Sequence, residues 1–372
     1  LSKITLRKAW FQVHKWIGLC LAILIIPLCL TGSALVWDHA FDRILSPARY
    51  ATSGSTLLAP DIYAAAVQAA LPPGVRIASL KIPGVKGDPV IAASGPSPTR
   101  VQGPAPRTNV YLDPPTARVL EVSSSRSGPL MVMHTIHGSL MLPGVGRAIV
   151  GWIGVAMLIS SLSGLWLWWP TVGAWVRGLR WRRHRHFDTN LHHLFGFWIS
   201  LPLFVLSLTG AWISFPSFFG PLAGENGRPM GFGPSRAAMA RAQPLATTAT
   251  PLARAETAAT AFTPGRITQI TWPTDYQDAW QFTIKPEKGR PATVTIDDAS
   301  GAAARGADPD RGQAPVARLM RRIHDGDDMG PVWQAIIFLG GILPAMLALT
   351  GVIMWWRARH WRRELKALRS VI

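Results

Sequence analysis

Cysteine is nearly missing from this chain of 372 residues, with only Cys20 and Cys29 present. Two thiols cannot hold an iron–sulfur cluster, and no Cys-x-x-Cys-His run exists for covalent haem attachment. On one helix, positions 20 and 29 point to opposite sides, so the pair cannot bridge itself. Acids are also scarce, 20 against 38 Lys and Arg, giving a net charge of +18. No Gly-x-Gly-x-x-Gly follows a strand pattern, and there is no Walker loop, HExxH or Ser/His/Asp arrangement. The chain thus shows no site of its own for a nicotinamide, flavin or ATP, and nothing supports hydrolysis. Electrons used here would come from a separate molecule.

What is present is apolar sequence in long runs. Residues 13–37, 148–169, 194–215 and 333–356 each reach the ~20 residues that span a bilayer as a helix. The basic excess gathers beside them. Lys3, Arg7, Lys8 and Lys15 precede the first run without an acid; five Arg face one Asp in 170–190; and Arg357, Arg359, Arg362, Arg363, Lys366 and Arg369 face Glu364 in 357–372. Short loops rich in Lys and Arg stay in the cytoplasm. The expectation is a bacterial inner (plasma) membrane protein, multi-pass, with both termini and the central loop inside and two long loops in the periplasm. The charge is then topological and implies membrane lipid rather than nucleic acid as a partner. The first run exceeds the 7–15 residues of a signal-peptide core and has an internal counterpart, so it is expected to be retained.

The histidines repeat with the runs. His14 opens HKWIGLCLAILIIPLCLTG and His192 opens HHLFGFWISLPLFVLSLTG; both reach Gly four residues on (Gly18, Gly196) and then Thr31-Gly32 or Thr209-Gly210 without a gap. His137 leads to Gly164 after 27 residues, and His324 leads to Gly351 after 27. The fold class expected is a membrane all-α core, a four-helix transmembrane bundle made from a tandem two-helix repeat. From His14 to Gly32 a helix rises about 27 Å, so the four imidazoles fall on two levels. Two haems, each with two axial histidines, require that arrangement.

Several other residues have competing readings. His193 is turned ~100° from His192 on a helix and aligns with Lys15; it is the alternative partner of His14, or a partner for a propionate. His134 precedes His137 by one turn, and H-x-x-H also suits Zn²⁺, though no third ligand is evident in the nearby sequence. Arg321, aligned with His134, suits a propionate or an anionic ligand. The cluster Trp166, Trp168, Trp169, Trp355 and Trp356 reads as an interfacial belt, or as packing on a porphyrin. His39 is unmatched, and His184, His186 and His360 lie in basic tracts and are read as solvated.

The long loops share a pattern. Ala-rich helices opened by Pro are expected at 60–71 and 251–262, followed by strands at 75–82, 90–94 and 108–112, and at 266–272, 279–284 and 292–296. Asp113 and Asp297 each head a turn after the last of these strands. Two small α+β modules result, with 217–246 read as irregular and without a counterpart. The full division is 1–37 first membrane helix, 38–146 first periplasmic module, 147–169 second membrane helix and 170–190 cytoplasmic loop. It continues with 191–215 third membrane helix, 216–331 second module, 332–356 fourth membrane helix and 357–372 tail.

H-x-W-x-G-L before a Pro-interrupted helix ending in Thr-Gly, Ile-His before Gly-x-Gly-Arg, and a helix ending Trp-Trp-Pro together resemble the PepSY-associated transmembrane family over nearly the whole chain. Four-helix members include inner-membrane siderophore reductases of the ferrioxamine type. The resemblance implies two non-covalent b-type haems, PepSY-like outer modules, and reduction of a ferric siderophore supplied with electrons by a quinol or flavoprotein. The haem-iron ligands it implies are His14, His192, His137 and His324. A sensor or assembly module without redox activity and a siderophore permease are the alternatives. The permease is disfavoured because the membrane helices have hardly any ionisable or broken positions to line a path.

Overall fold

A computed structural model describes residues 2–97, 105–169, 175–181, 184–224, 241–306 and 315–369. In chain order the helices and strands are α1 (Lys3–Leu35), α2 (Asp38–Leu45), α3 (Pro60–Ala70), β1 (Ile77–Lys81), β2 (Val90–Ser94), β3 (Thr108–Leu112), β4 (Val119–Ser124), α4 (Pro129–Ser139) and α5 (Gly146–Trp168). There follow α6 (Phe187–Ser214), α7 (Pro216–Leu222), α8 (Leu252–Phe262), β5 (Arg266–Thr271), β6 (Ala279–Lys285), β7 (Ala292–Asp297), β8 (Ala303–Arg305), α9 (Pro315–Asp325) and α10 (Gly330–Arg369). They divide into two compact units. One comprises Leu1–Phe41, Val132–Gly227 and Ala314–Ile372; the other comprises Asp42–Met131 and Arg228–Gln313.

The first unit is helical, and α1, α5, α6 and α10 are long and apolar enough to cross a membrane. This is a multi-pass membrane protein. Two helices overrun their apolar cores. α1 begins at Lys3, where the Ser2 hydroxyl accepts from the Thr5 amide at 3.2 Å, and α10 continues to Arg369. Arg, Lys, Leu and Ala are good helix formers, so the basic flanks continue the helices, α10 well into the stretch 357–372 read as a tail. Small residues decide where the helices touch, as is usual without a hydrophobic drive between them. At Gly341 an added Cβ would fall 2.3 Å from the Cys29 carbonyl oxygen and 2.1 Å from the Ser33 hydroxyl. Ser33 itself donates to the Phe338 carbonyl at 2.7 Å. Gly151 and Gly154 of α5 lie in the same way against Phe215 and Ser207 at the α6 side. A cluster of Ile25, Leu28, Cys29, Ile153, Met157 and Ala345 fills the interior.

The second unit holds one antiparallel sheet of eight strands in the order β4-β3-β2-β1-β5-β6-β7-β8. Alternation along the strands explains its single covered face. Leu80, Val90, Val110, Ile270, Phe282, Val294 and Ile296 turn inward under Tyr63 and Val67 of α3 and Ala255 and Ala259 of α8. The expected strands are all present, with two added edges, β4 and β8. The two sets do not stand apart as separate modules. β1 pairs with β5 through Leu80 opposite Ile270, which joins them in one sheet over one core. Asp113 closes its turn by accepting from the Ser53 amide at 2.7 Å and the Thr116 hydroxyl at 2.5 Å. Asp297 does so by accepting from the Ser300 amide at 2.8 Å. Of the stretch 217–246 read as irregular, its start lies in α7, because Pro216 at the first turn suits helix initiation. Residues 225–240 lie outside the described residues, as do 98–104, 170–174, 182–183, 307–314 and 370–372.

Candidate functional site

Four imidazoles, each from a different helix of the first unit, meet in two pairs. His14 of α1 and His192 of α6 have ring centres 6.3 Å apart and planes at 88°. His137 of α4 and His324 of α9 have centres 6.0 Å apart and planes at 34°. The second pair does not ride on the spanning helices themselves. α4 ends just after His137, where Leu140 takes φ 51°, and α9 ends after His324, where Gly326 takes φ 80°. The Trp333 indole donates to the Ile323 carbonyl at 2.8 Å and ties that turn to α10.

Each ring rests on a helix glycine that follows a hydroxyl residue. His137 meets Gly32 after Thr31, His14 meets Gly164 after Ser163, His324 meets Gly210 after Thr209, and His192 meets Gly351 after Thr350. A Cβ added at these glycines would stand 2.5, 3.0, 3.0 and 3.6 Å from the Cε1 of its ring. At Gly32, Gly164 and Gly210 a Cβ would crowd the imidazole, whereas at Gly351 it would make ordinary contact. The Nδ1 atoms are all engaged. That of His14 lies 3.1 Å from the Ser160 carbonyl oxygen and 3.1 Å from the Ser163 hydroxyl. That of His137 lies 2.9 Å from the Leu28 carbonyl oxygen. Those of His192 and His324 each lie 3.0 Å from a threonine hydroxyl, Thr350 and Thr209 respectively. The sequence marks Thr31-Gly32 and Thr209-Gly210 as a repeat but not the role of their hydroxyls, and the Ser or Thr before Gly164 and Gly351 is the signal that extends the pattern to all four glycines.

These residues fit an ion held between two axial imidazoles. A metal–imidazole bond is about 2.0 Å and the ring centre lies about 1.1 Å beyond the nitrogen, so two such ligands put their centres about 6.2 Å apart. Both pairs match, and with Nδ1 engaged the Nε2 atoms remain to ligate. Room for a flat macrocycle exists at the His14 level. An added Cβ at Gly18 or Gly196 would meet nothing within 4 Å, and both glycines, with His14 and His192, line a cavity of about 1190 Å³. Lys8, Lys15 and Arg362 line it as well. Arg7 lines it too and caps the end of α5, donating to the carbonyls of Leu167 at 2.5 Å and Trp169 at 3.1 Å. At the other level, burial holds His137 below the usual imidazole value and pushes His324 down to about 4. Both are neutral at pH 7, the form that binds metal.

The remaining sequence candidates fall elsewhere. His193 lines the same cavity but stacks on His184, with ring centres 4.3 Å apart. The structure therefore brings His192, not His193, to His14, and His184 is packed rather than simply solvated. His134 is exposed, and no group of three His, Cys, Asp or Glu side chains that could hold a metal ion occurs among the described residues. Arg321 pairs with Asp325 at 3.5 Å on the exposed face of α9. Trp168 is not an interfacial anchor: it is buried and stacks on Phe197, with centres 4.1 Å apart, while Trp166, Trp169 and Trp356 are exposed.

The family model of the PepSY-associated TM region matches residues 11–358, and the chain belongs to that family. No curated protein matches it.

Proposed function

Starting from that membership, we propose that the protein is an inner-membrane reductase with two non-covalent b-type haems that delivers electrons to a ferric siderophore in the periplasm. The observation that carries this reading is the spacing of the ring centres, 6.3 Å at one level and 6.0 Å at the other, each the separation of two imidazoles on one ion. His14 and His192 would hold one haem, and His137 and His324 the other. Such groups would supply single-electron transfer, and two histidines on each would leave no position for oxygen.

The chain's own residues do the rest. Gly32, Gly164, Gly210 and Gly351 let the rings approach the helix backbones, and Gly18 and Gly196 leave clearance for a planar group. The repeated hydroxyl–glycine pairs support a tandem two-helix origin, and the paired strand sets support two PepSY-like halves. Basic flanks put Lys8, Lys15 and Arg362 on the cytoplasmic side, where they would meet propionates or an acidic electron donor, a quinol or flavoprotein. The His137 level then faces the periplasm, with His134 and Arg321 beside it. The second unit would form the surface for the chelate. One electron converts bound iron(III) to iron(II), which oxygen ligands hold far less tightly, so the iron is released.

The test is reduction in membrane vesicles, with ferrioxamine outside, the donor inside and an iron(II) chelator as reporter. His137→Ala and His324→Ala should abolish iron(II) formation while the His14 level is still reduced by the donor. Wild-type rates in His14→Ala with the same donor would contradict a transmembrane route.

A further inference from the structure

We infer that Thr209 and Thr350 are positioning residues that set the tautomer of His324 and His192, and so aim an Nε2 lone pair from each into the paired sites. The inference rests on the haem reading for its consequence, but its physical basis is the hydrogen-bond geometry alone. A backbone carbonyl can only accept. Nδ1 of His14 faces the Ser160 carbonyl and Nδ1 of His137 faces the Leu28 carbonyl, so in both residues Nδ1 must carry the proton. His192 and His324 have a hydroxyl in the same place, which is ambiguous by itself, because a hydroxyl can donate or accept.

The ambiguity is resolved one turn back. Thr209 Oγ1 lies 2.9 Å from the Val205 carbonyl oxygen and 3.1 Å from that of Leu206. Thr350 Oγ1 lies 3.0 Å from the Met346 carbonyl oxygen and 3.1 Å from that of Leu347. Each hydroxyl has one proton, and it goes to the carbonyls of its own helix; otherwise its lone pairs would face two carbonyl oxygens. Toward the imidazole only an acceptor is left, so Nδ1 of His192 and of His324 is the donor. The carbonyls of Leu347 and Leu206 act on these two rings as those of Ser160 and Leu28 do on the other two, and each threonine hydroxyl adds an acceptor for Nδ1 at 3.0 Å. All four imidazoles thereby hold the same tautomer. An acceptor on Nδ1–H also makes a ligating imidazole more basic, which favours the ferric state.

Three variants of each threonine position test this: wild type, Val, which keeps the shape and removes the hydroxyl, and Ser, which restores it. Hemin titration of cofactor-free protein and spectroelectrochemistry are the readouts, with ¹⁵N spectra of histidine-labelled cofactor-free protein as an independent one. Thr350→Val should weaken hemin binding about 10- to 100-fold at the His14/His192 level only and raise the potential of any haem retained there. Thr209→Val should do the same at the His137/His324 level only, and both Ser variants should restore wild-type values. In the spectra, Nδ1 of His192 and His324 should be the protonated nitrogen and should lose that bias in the matching Val variant. Unchanged affinity and potential in the Val variants, or equal loss at both levels from either one, would overturn the inference. If wild-type protein took up no hemin, the proposed function would fail, and the ¹⁵N spectra would still decide the role of the threonines.

Discussion

At the His14 level the imidazole planes cross at 88°, and at the His137 level they lie 34° apart. Yet each level has two histidines, two hydroxyl–glycine supports and an acceptor at every Nδ1. The difference follows from where the donors ride. His14 and His192 sit early on long helices that continue through the bilayer, and they face a roomy cavity bounded by Gly18 and Gly196. His137 and His324 sit on short helices that end within a turn of the ring and are fixed there by left-handed residues. The glycine contacts are correspondingly tighter, 2.5 and 3.0 Å against 3.0 and 3.6 Å. One set of parts thus yields a spacious site and a clamped one.

The largest expected effect comes from removing a ligand. His14→Ala and His192→Ala should each abolish the same haem and spare the other, and His137→Ala and His324→Ala should do the converse. Haem content would fall from two per chain to one in every case. If His14→Ala and His192→Ala removed different haems, the pairing within levels would be wrong, and His193→Ala would be the next variant to make.

A graded effect should separate the levels by crowding. Overpacking a close contact costs ~1–3 kcal/mol, so Gly32→Ala should weaken hemin binding at the His137 level by about tenfold or more. Gly164→Ala and Gly210→Ala should be intermediate, and Gly351→Ala nearly silent. An equal response at all four glycines, read by hemin titration, would remove the distinction between roomy and clamped.

The smallest effect is spectroscopic. Crossed axial planes leave the iron d orbitals nearly degenerate, and aligned planes split them. Low-temperature electron paramagnetic resonance of oxidised protein should therefore show a strongly anisotropic low-spin signal from the His14 level and a rhombic one from the His137 level. Assignment follows from which signal survives in His14→Ala and which in His137→Ala. Two identical signals would mean that the rings reorient on binding.

Much of this architecture was legible because it is local. Four apolar runs announce four spanning helices, and the equal spacings from His14 to Gly32, from His192 to Gly210, and from His137 and His324 to Gly164 and Gly351 single out the residues that the structure brings together. What stayed hidden depends on partners distant in sequence. β4 and β8 are edge strands with no buried residue, so no buried face alternates along them. The pairing of β1 with β5 joins Leu80 to Ile270, and nothing near either residue announces it. Trp168 reads as an interfacial tryptophan until Phe197 is placed against it. The roles of Thr209 and Thr350 needed the position of a ring more than a hundred residues away.

Haem stoichiometry of the purified wild-type chain tests the central claim most directly, measured as pyridine haemochrome per mole of protein together with the shift of the Soret band on dithionite reduction. The account predicts two b-type haems per chain, both low-spin and both extractable without breaking a covalent bond. A folded, colourless protein that takes up no added hemin would contradict it.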